Sequence, residues 1–230
     1  MRLREVPSPN HDARPEGVPV DMLVLHYTGM PDEASALARL TDPAAEVSAH
    51  YLVAEDGAVT RLVPEERRAW HAGVSHWRGQ SALNGRSIGI EVVNPGHDWG
   101  YRDFPALQMG AVSALCRDIL SRHPIPPQNV VAHSDIAPDR KRDPGELFDW
   151  EGLARDGVGL WPGPWRGAAP APEEAPALLA RIGYRTDLPL PVLLAAFQRH
   201  WRPARVDGAA DAETLARLAA VAAAAEAASA

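Results

Sequence analysis

Val20-Asp21-Met22-Leu23-Val24-Leu25-His26 is a short, largely apolar run that closes on a histidine. It reads as a buried strand, and the neighbouring segments organise around it. Residues 33–40 carry a short helical pattern that stops near Pro43. Residues 49–53 and 58–63 read as two strands joined by the hairpin turn Glu55-Asp56-Gly57. Residues 87–93 (SIGIEVV) form another strand-like run, closed by Asn94-Pro95-Gly96. Leu107, Ala111, Val112, Leu115, Cys116, Ile119 and Leu120 recur at the spacing of an amphipathic helix, which His123-Pro124 ends. Residues 129–133 (NVVAH) are a short strand that again ends on a histidine. Strands and helices alternate without a clean repeat. That predicts an α/β fold with a mixed β-sheet flanked by helices. Ligands on such sheets sit where strand ends meet loops, and His26, Glu91 and His133 all fall at or near predicted strand ends.

Outward from this centre the composition changes. Residues 1–19 are rich in proline and charge and read as an extended arm of a first domain spanning 1–167. Residues 168–176 form an Ala/Pro-rich linker. A small three-helix domain follows over 177–222, with helices near 177–182, 191–200 and 211–222. The Ala-rich tail, 223–230, is expected to fray, because alanine gives helix propensity rather than a tertiary role. A chain of 230 residues suits one mid-sized domain plus a small second one.

A formal net charge of -7 argues against a nucleic-acid partner that binds through many phosphate contacts. Polar, partly cationic partners remain compatible with it. The single cysteine, Cys116, forms no intramolecular disulfide and sits in an apolar helical pattern, so it reads as a buried structural thiol. No stretch reaches the roughly 18–20 apolar residues of a membrane span, so no membrane insertion is expected. Residues 1–19 hold no apolar signal core, which makes the cytoplasm the expected location. A periplasmic or envelope location is the alternative if a leader precedes this sequence. Oligomeric state is left open, with a monomer favoured.

Among the nine histidines, His11, His97 and His200 lie in polar or loop contexts and are expected at the surface. His123 suits a helix C-terminus. A catalytic zinc site needs about three protein ligands and an open position. His26 and His133 end apolar strands, and Asp143 follows in the next loop. These residues match no compact metal-ligand spacing. On pattern alone, a metal site and a set of hydrogen-bonded histidines at a sheet edge both stand.

The run His133-Ser134-Asp135-Ile136-Ala137-Pro138-Asp139-Arg140-Lys141-Arg142-Asp143-Pro144-Gly145 resembles the signature of bacterial zinc-dependent N-acetylmuramoyl-L-alanine amidases of the AmpD/AmiD type. Leu25-His26-Tyr27-Thr28, Ser48-Ala49-His50-Tyr51, Trp70-His71-Ala72-Gly73-Val74-Ser75-His76-Trp77 and Ser87-Ile88-Gly89-Ile90-Glu91 agree in the same order. The resemblance covers about residues 20–165. Leu147-Phe148-Asp149-Trp150 and Gly157-Val158-Gly159-Leu160-Trp161-Pro162 lean toward the AmiD branch. Asp139 stands where the recycling branch usually has glycine. Phe197 to Pro203, Val206-Asp207-Gly208, Asp211 and Thr214-Leu215 are similar to small three-helix peptidoglycan-binding domains.

The resemblance implies hydrolysis of the amide between N-acetylmuramoyl residues, 1,6-anhydro forms among them, and L-alanine in peptidoglycan fragments or muropeptides. It makes His26, His133 and Asp143 the Zn2+ ligands, Glu91 the general base and acid, and Lys141 the cation facing the developing oxyanion. Amide hydrolysis needs these parts: an activated water, a polarised carbonyl and a proton for the leaving amine. Tyr51, Trp70, His71 and Arg140 are candidate substrate contacts. His50 and Tyr51 face opposite sides of a strand, and either could border the cleft. Asp135 is a candidate acceptor supporting a ligand histidine. A binding module without catalysis is the competing class, and the retention of all five site residues favours the enzyme.

Overall fold

The computed structural model describes residues 3–168 and 170–229. Ten strands occur in chain order: β1 (Leu3–Glu5), β2 (His11–Ala13), β3 (Met22–Tyr27), β4 (Tyr51–Val53), β5 (Val59–Arg61), β6 (Arg67–Ala69), β7 (His76–Trp77), β8 (Gln80–Ser81), β9 (Ser87–Val92) and β10 (Val130–Ala132). The α-helices are α1 (Glu33–Thr41), α2 (Gly96–Trp99), α3 (Ala106–Arg122), α4 (His133–Ile136), α5 (Trp150–Arg155), α6 (Ala175–Ile182), α7 (Leu190–Trp201) and α8 (Ala212–Ala227). The main sheet runs β1-β5-β4-β9-β3-β10. Pairing is parallel except between β4 and β5, the predicted hairpin. This is the expected mixed sheet flanked by helices.

Strand parity decides which residues can meet. Leu23, Leu25, Ile88, Ile90 and Val53 face α3, where Val112, Leu115, Cys116 and Ile119 close the core. The alternate residues Met22, Val24 and Val131 face the other way, onto α6, α7 and α8. A third cluster seats Ala36 and Leu40 of α1 on Leu52 and Leu62. The central strands are apolar on both faces because helices cover both, as a largely parallel sheet requires. His26 continues the parity of Met22 and Val24, and Glu91 that of Ser87 and Gly89. Both therefore emerge on the face opposite α3.

Three expectations change. Residues 3–19 are largely extended, but they are tied into two sheets rather than standing apart as an arm. Leu3–Glu5 pairs with β5, and His11–Ala13 pairs with β6. Between them, Ser8 Oγ donates to Leu40 O at 2.5 Å, and Asn10 Nδ2 donates to Asp42 O and Val47 O, each at 2.8 Å. Charged three-residue edge strands carry no apolar signal, so pattern alone cannot show them. The linker is shorter than expected, since α6 begins at Ala175 with Pro176 in its first turn. The alanine tail does not fray where expected: α8 runs to Ala227, with Ala222 and Ala225 buried. Small side chains let this helix approach α6 closely, so alanine here has a packing role. Ala230 lies outside the described residues.

The C-terminal helices share their core with the sheet. Leu179, Phe197, Leu218 and Val221 pack in one cluster with Met22, Val24 and Val131.

Candidate active site

Register brings the site together. In β3 and β9, His26 lies opposite Glu91. In β10 and β3, Ala132 lies opposite Leu25, so His133 follows beside His26. His133 opens the turn α4, and the loop after it folds back so that Ser134 N donates to Asp143 O at 3.0 Å. Asp143 is thereby returned to the two histidines. His26 Nδ1, His133 Nδ1 and Asp143 Oδ2 lie 2.9 Å from one another, and all three residues are buried.

The donor set fits a cation. His133 Nε2 faces Ala72 O at 3.2 Å, and a carbonyl only accepts, so the ring proton sits there and Nδ1 is bare. Burial, with His133 beside it, lowers the His26 pKa to about 4, so no extra proton is available at neutral pH. Electron-pair donors thus face one another in a buried space. Two nitrogens and a carboxylate oxygen suit zinc, and tetrahedral ligands on zinc stand about 3.3 Å apart, close to the spacing here.

Glu91 is half-buried, but its Oε2 is fully buried and has no hydrogen-bond partner among the described residues. Burial raises its pKa well above the ordinary value, Asp143 adds to this, and Lys141 opposes it. A carboxyl group shifted this way is suited to taking and returning a proton near neutrality. Glu91, Lys141 and Asp143 line one cavity of about 350 Å³, together with His26 and His133. Lys141 and Asp143, two apart in the loop, reach the same space.

The substrate candidates divide. Trp70 and Arg140 line the cavity, and Arg140 Nη2 also donates to Val74 O. His71 lines it too but is buried beneath His26, with its Nδ1 3.1 Å from His26 Nε2. Tyr51 does not reach it: the ring packs on the α3 face and its hydroxyl donates to Glu65 at 2.6 Å. Parity allowed either His50 or Tyr51, and the β4–β9 register puts His50 on the site's face, buried behind His71.

Asp135 does not support a ligand histidine. Its carboxylate accepts from Ala132 N at 2.8 Å, from His200 Nδ1 at 2.6 Å and from the Tyr184 hydroxyl. His200 is therefore not at the surface; it is buried and stacks on Trp150 and Trp201, with ring centroids 3.9 Å away in each case. His97 is only half-buried and meets the Tyr27 hydroxyl at 3.0 Å. Burial pushes the Cys116 thiol up to about 12, in keeping with a structural role. Arg39, in the last turn of α1, also lines the cavity. Sequence reading missed it because a basic residue at a helix C-terminus is ordinary.

Carboxyl ends of parallel strands that gather two histidines, a carboxylate and a glutamate with a buried, unpartnered Oε2 define a hydrolase-type centre. The family described as N-acetylmuramoyl-L-alanine amidase matches residues 16–146. The chain belongs to that family. It is 43% identical over 222 residues to N-acetylmuramoyl-L-alanine amidase AmiD of Escherichia coli, covering 85% of this chain and 79% of AmiD. It is 38% identical over 164 residues to 1,6-anhydro-N-acetylmuramyl-L-alanine amidase AmpD of the same species, covering 64% of this chain and 87% of AmpD. The structure of E. coli AmiD in complex with the substrate anhydro-N-acetylmuramic acid-L-Ala-D-gamma-Glu-L-Lys superposes with a TM-score of 0.79 at 40% identity, covering 90% of each chain.

Proposed function

We propose that the chain hydrolyses the amide between the lactyl carbonyl of N-acetylmuramoyl residues and L-alanine in peptidoglycan fragments, with zinc held by His26, His133 and Asp143. The observation that carries this reading is the buried triangle of donor atoms with the unpaired Glu91 carboxyl opening into the same cavity. Zinc bound there would supply a Lewis acid for the carbonyl and lower the pKa of a water to about 7.

The protein's own residues then divide the proton work. Glu91 accepts a proton from the attacking water as its oxygen bonds to the lactyl carbon. The same carboxyl returns that proton to the alanine nitrogen as the C–N bond breaks, leaving a muramoyl carboxylic acid and a free amine, which ionise to carboxylate and ammonium at neutral pH. Lys141 places positive charge where the carbonyl oxygen becomes negative. Trp70 offers a flat face to sugar or stem peptide, and Arg140 with Arg39 offers charge to stem carboxylates. The anhydro-capped substrate named for the AmiD complex makes 1,6-anhydro-muropeptides the first compounds to assay, in keeping with a part in wall turnover or recycling.

Turnover of a defined muropeptide, followed by release of the L-alanine amine, tests this reading. Chelation should abolish release and added zinc restore it. Release indifferent to chelator would contradict the metal assignment.

A further inference from the structure

His71 has no part in the proton work above, yet it ends a chain of hydrogen bonds that begins at a backbone carbonyl. Ser87 Oγ lies 2.7 Å from Leu83 O, and a carbonyl only accepts, so the hydroxyl hydrogen points there. The same Oγ lies 3.1 Å from His71 Nε2 and must accept from it. Among the described residues no carboxylate is paired with the His71 ring, so nothing offsets a charge in this buried place and the imidazole is neutral. Its Nδ1 is therefore bare and accepts from His26 Nε2 at 3.1 Å. The one ring proton of His26 is thus fixed on Nε2, and Nδ1 turns its lone pair toward His133 and Asp143.

The next residue does the same for the other histidine, since Ala72 O accepts from His133 Nε2 at 3.2 Å. Asn84 Oδ1 anchors both residues, accepting from His71 N at 3.1 Å and Ala72 N at 2.7 Å. Glycine at position 89 leaves room for the ring, because a Cβ there would lie 2.4 Å from His71 Cγ.

We infer that the His71-Ala72 segment, held by Asn84 and Ser87, sets the tautomer of both ligand histidines and so presents two bare Nδ1 atoms and one carboxylate to a divalent cation. His71 is a positioning residue. The inference rests on the zinc reading for its purpose, but not for its test. Ring-nitrogen NMR of the full-length, metal-free protein at neutral pH should find His26 and His133 protonated on Nε2. A proton on His26 Nδ1 overturns the inference.

Zinc affinity, read by competition with a chromogenic chelator, gives a second arm. His71→Leu removes the acceptor and should weaken zinc binding about 10–100-fold, whereas His71→Asn, whose Oδ1 can accept in place of Nδ1, should stay within about threefold of the starting chain. Wild-type affinity in His71→Leu, or equal loss in both variants, overturns the inference. If His71→Leu does not fold, the ring-nitrogen measurement decides. A wild-type chain that holds no zinc defeats the metal reading and leaves the tautomer measurement standing.

Discussion

His200 of α7 donates its Nδ1 hydrogen to Asp135 Oδ2 across 2.6 Å, so a residue near the C-terminus grips the turn that carries His133. The contact is completed by the Tyr184 hydroxyl on the other carboxylate oxygen and by stacking of His200 on Trp150 and Trp201. Replacing His200 with alanine removes a partner from a buried carboxylate and leaves a gap between two indoles. A loss of about 2–4 kcal/mol is expected, read as a lowered denaturation midpoint. An unchanged midpoint would show that Asp135 does not depend on His200.

The helices at 175–227 cover Met22, Val24 and Val131, residues of the strands that lead to His26 and His133. Truncation after Gly167 should therefore impair turnover of small soluble muropeptides as well as of intact sacculi, because it bares an apolar sheet face. A wall-binding role for these helices, proposed on their likeness to peptidoglycan-binding domains, predicts a further loss confined to sacculi. Full activity of the truncated chain on soluble fragments would contradict the packing argument.

Glu91→Gln should keep zinc stoichiometry and lose turnover by about 10²–10⁴-fold. The amide also removes a carboxyl whose charged form is disfavoured by burial, so stability should hold or rise. Metal analysis and steady-state kinetics on the same preparation check this. Turnover near that of the unaltered chain would remove Glu91 from its role.

Glu65 supplies a pH dependence that lies away from His26, His133 and Asp143. Burial pushes its pKa up, but hydrogen bonds from Arg122, Tyr51 and His123 more than offset this and hold it at about 2. A carboxyl depressed in the folded state contributes stability that is complete above its ordinary range. That stability should be lost as pH falls from about 4.5, the unfolded value, toward about 2. Glu65→Gln should flatten this window and cost about 1–2 kcal/mol at neutral pH, after allowance for solvent screening. Tyr51→Phe should cost about 1 kcal/mol and leave turnover unchanged. Lost turnover in a folded Tyr51→Phe chain would restore Tyr51 as a substrate contact.

The sheet was legible because its central strands are written as apolar runs closed by turn residues, and the site because His26, Glu91 and His133 stand where those runs end. Burial on both faces leaves little choice for residues 22–27 or 87–92. What stayed hidden depends on partners far along the chain. The edge strand at 11–13 is polar and acquires its meaning only from β6. His200 reads as a surface histidine until Asp135, 65 residues earlier, is placed beside it. Parity separates His50 from Tyr51, but only register with β9 says which of them faces the site. The role of Ser87 was hidden in the alternation Ser87, Gly89, Glu91, whose small polar face leaves space for His71.

Mass spectrometry of the products from a defined 1,6-anhydro-muropeptide, treated with the zinc-loaded chain, tests the central claim most directly. Free anhydro-N-acetylmuramic acid and an intact stem peptide with an L-alanine N-terminus are the expected products. Cleavage within the stem peptide, or an uncut substrate after treatment with fully loaded protein, would contradict it.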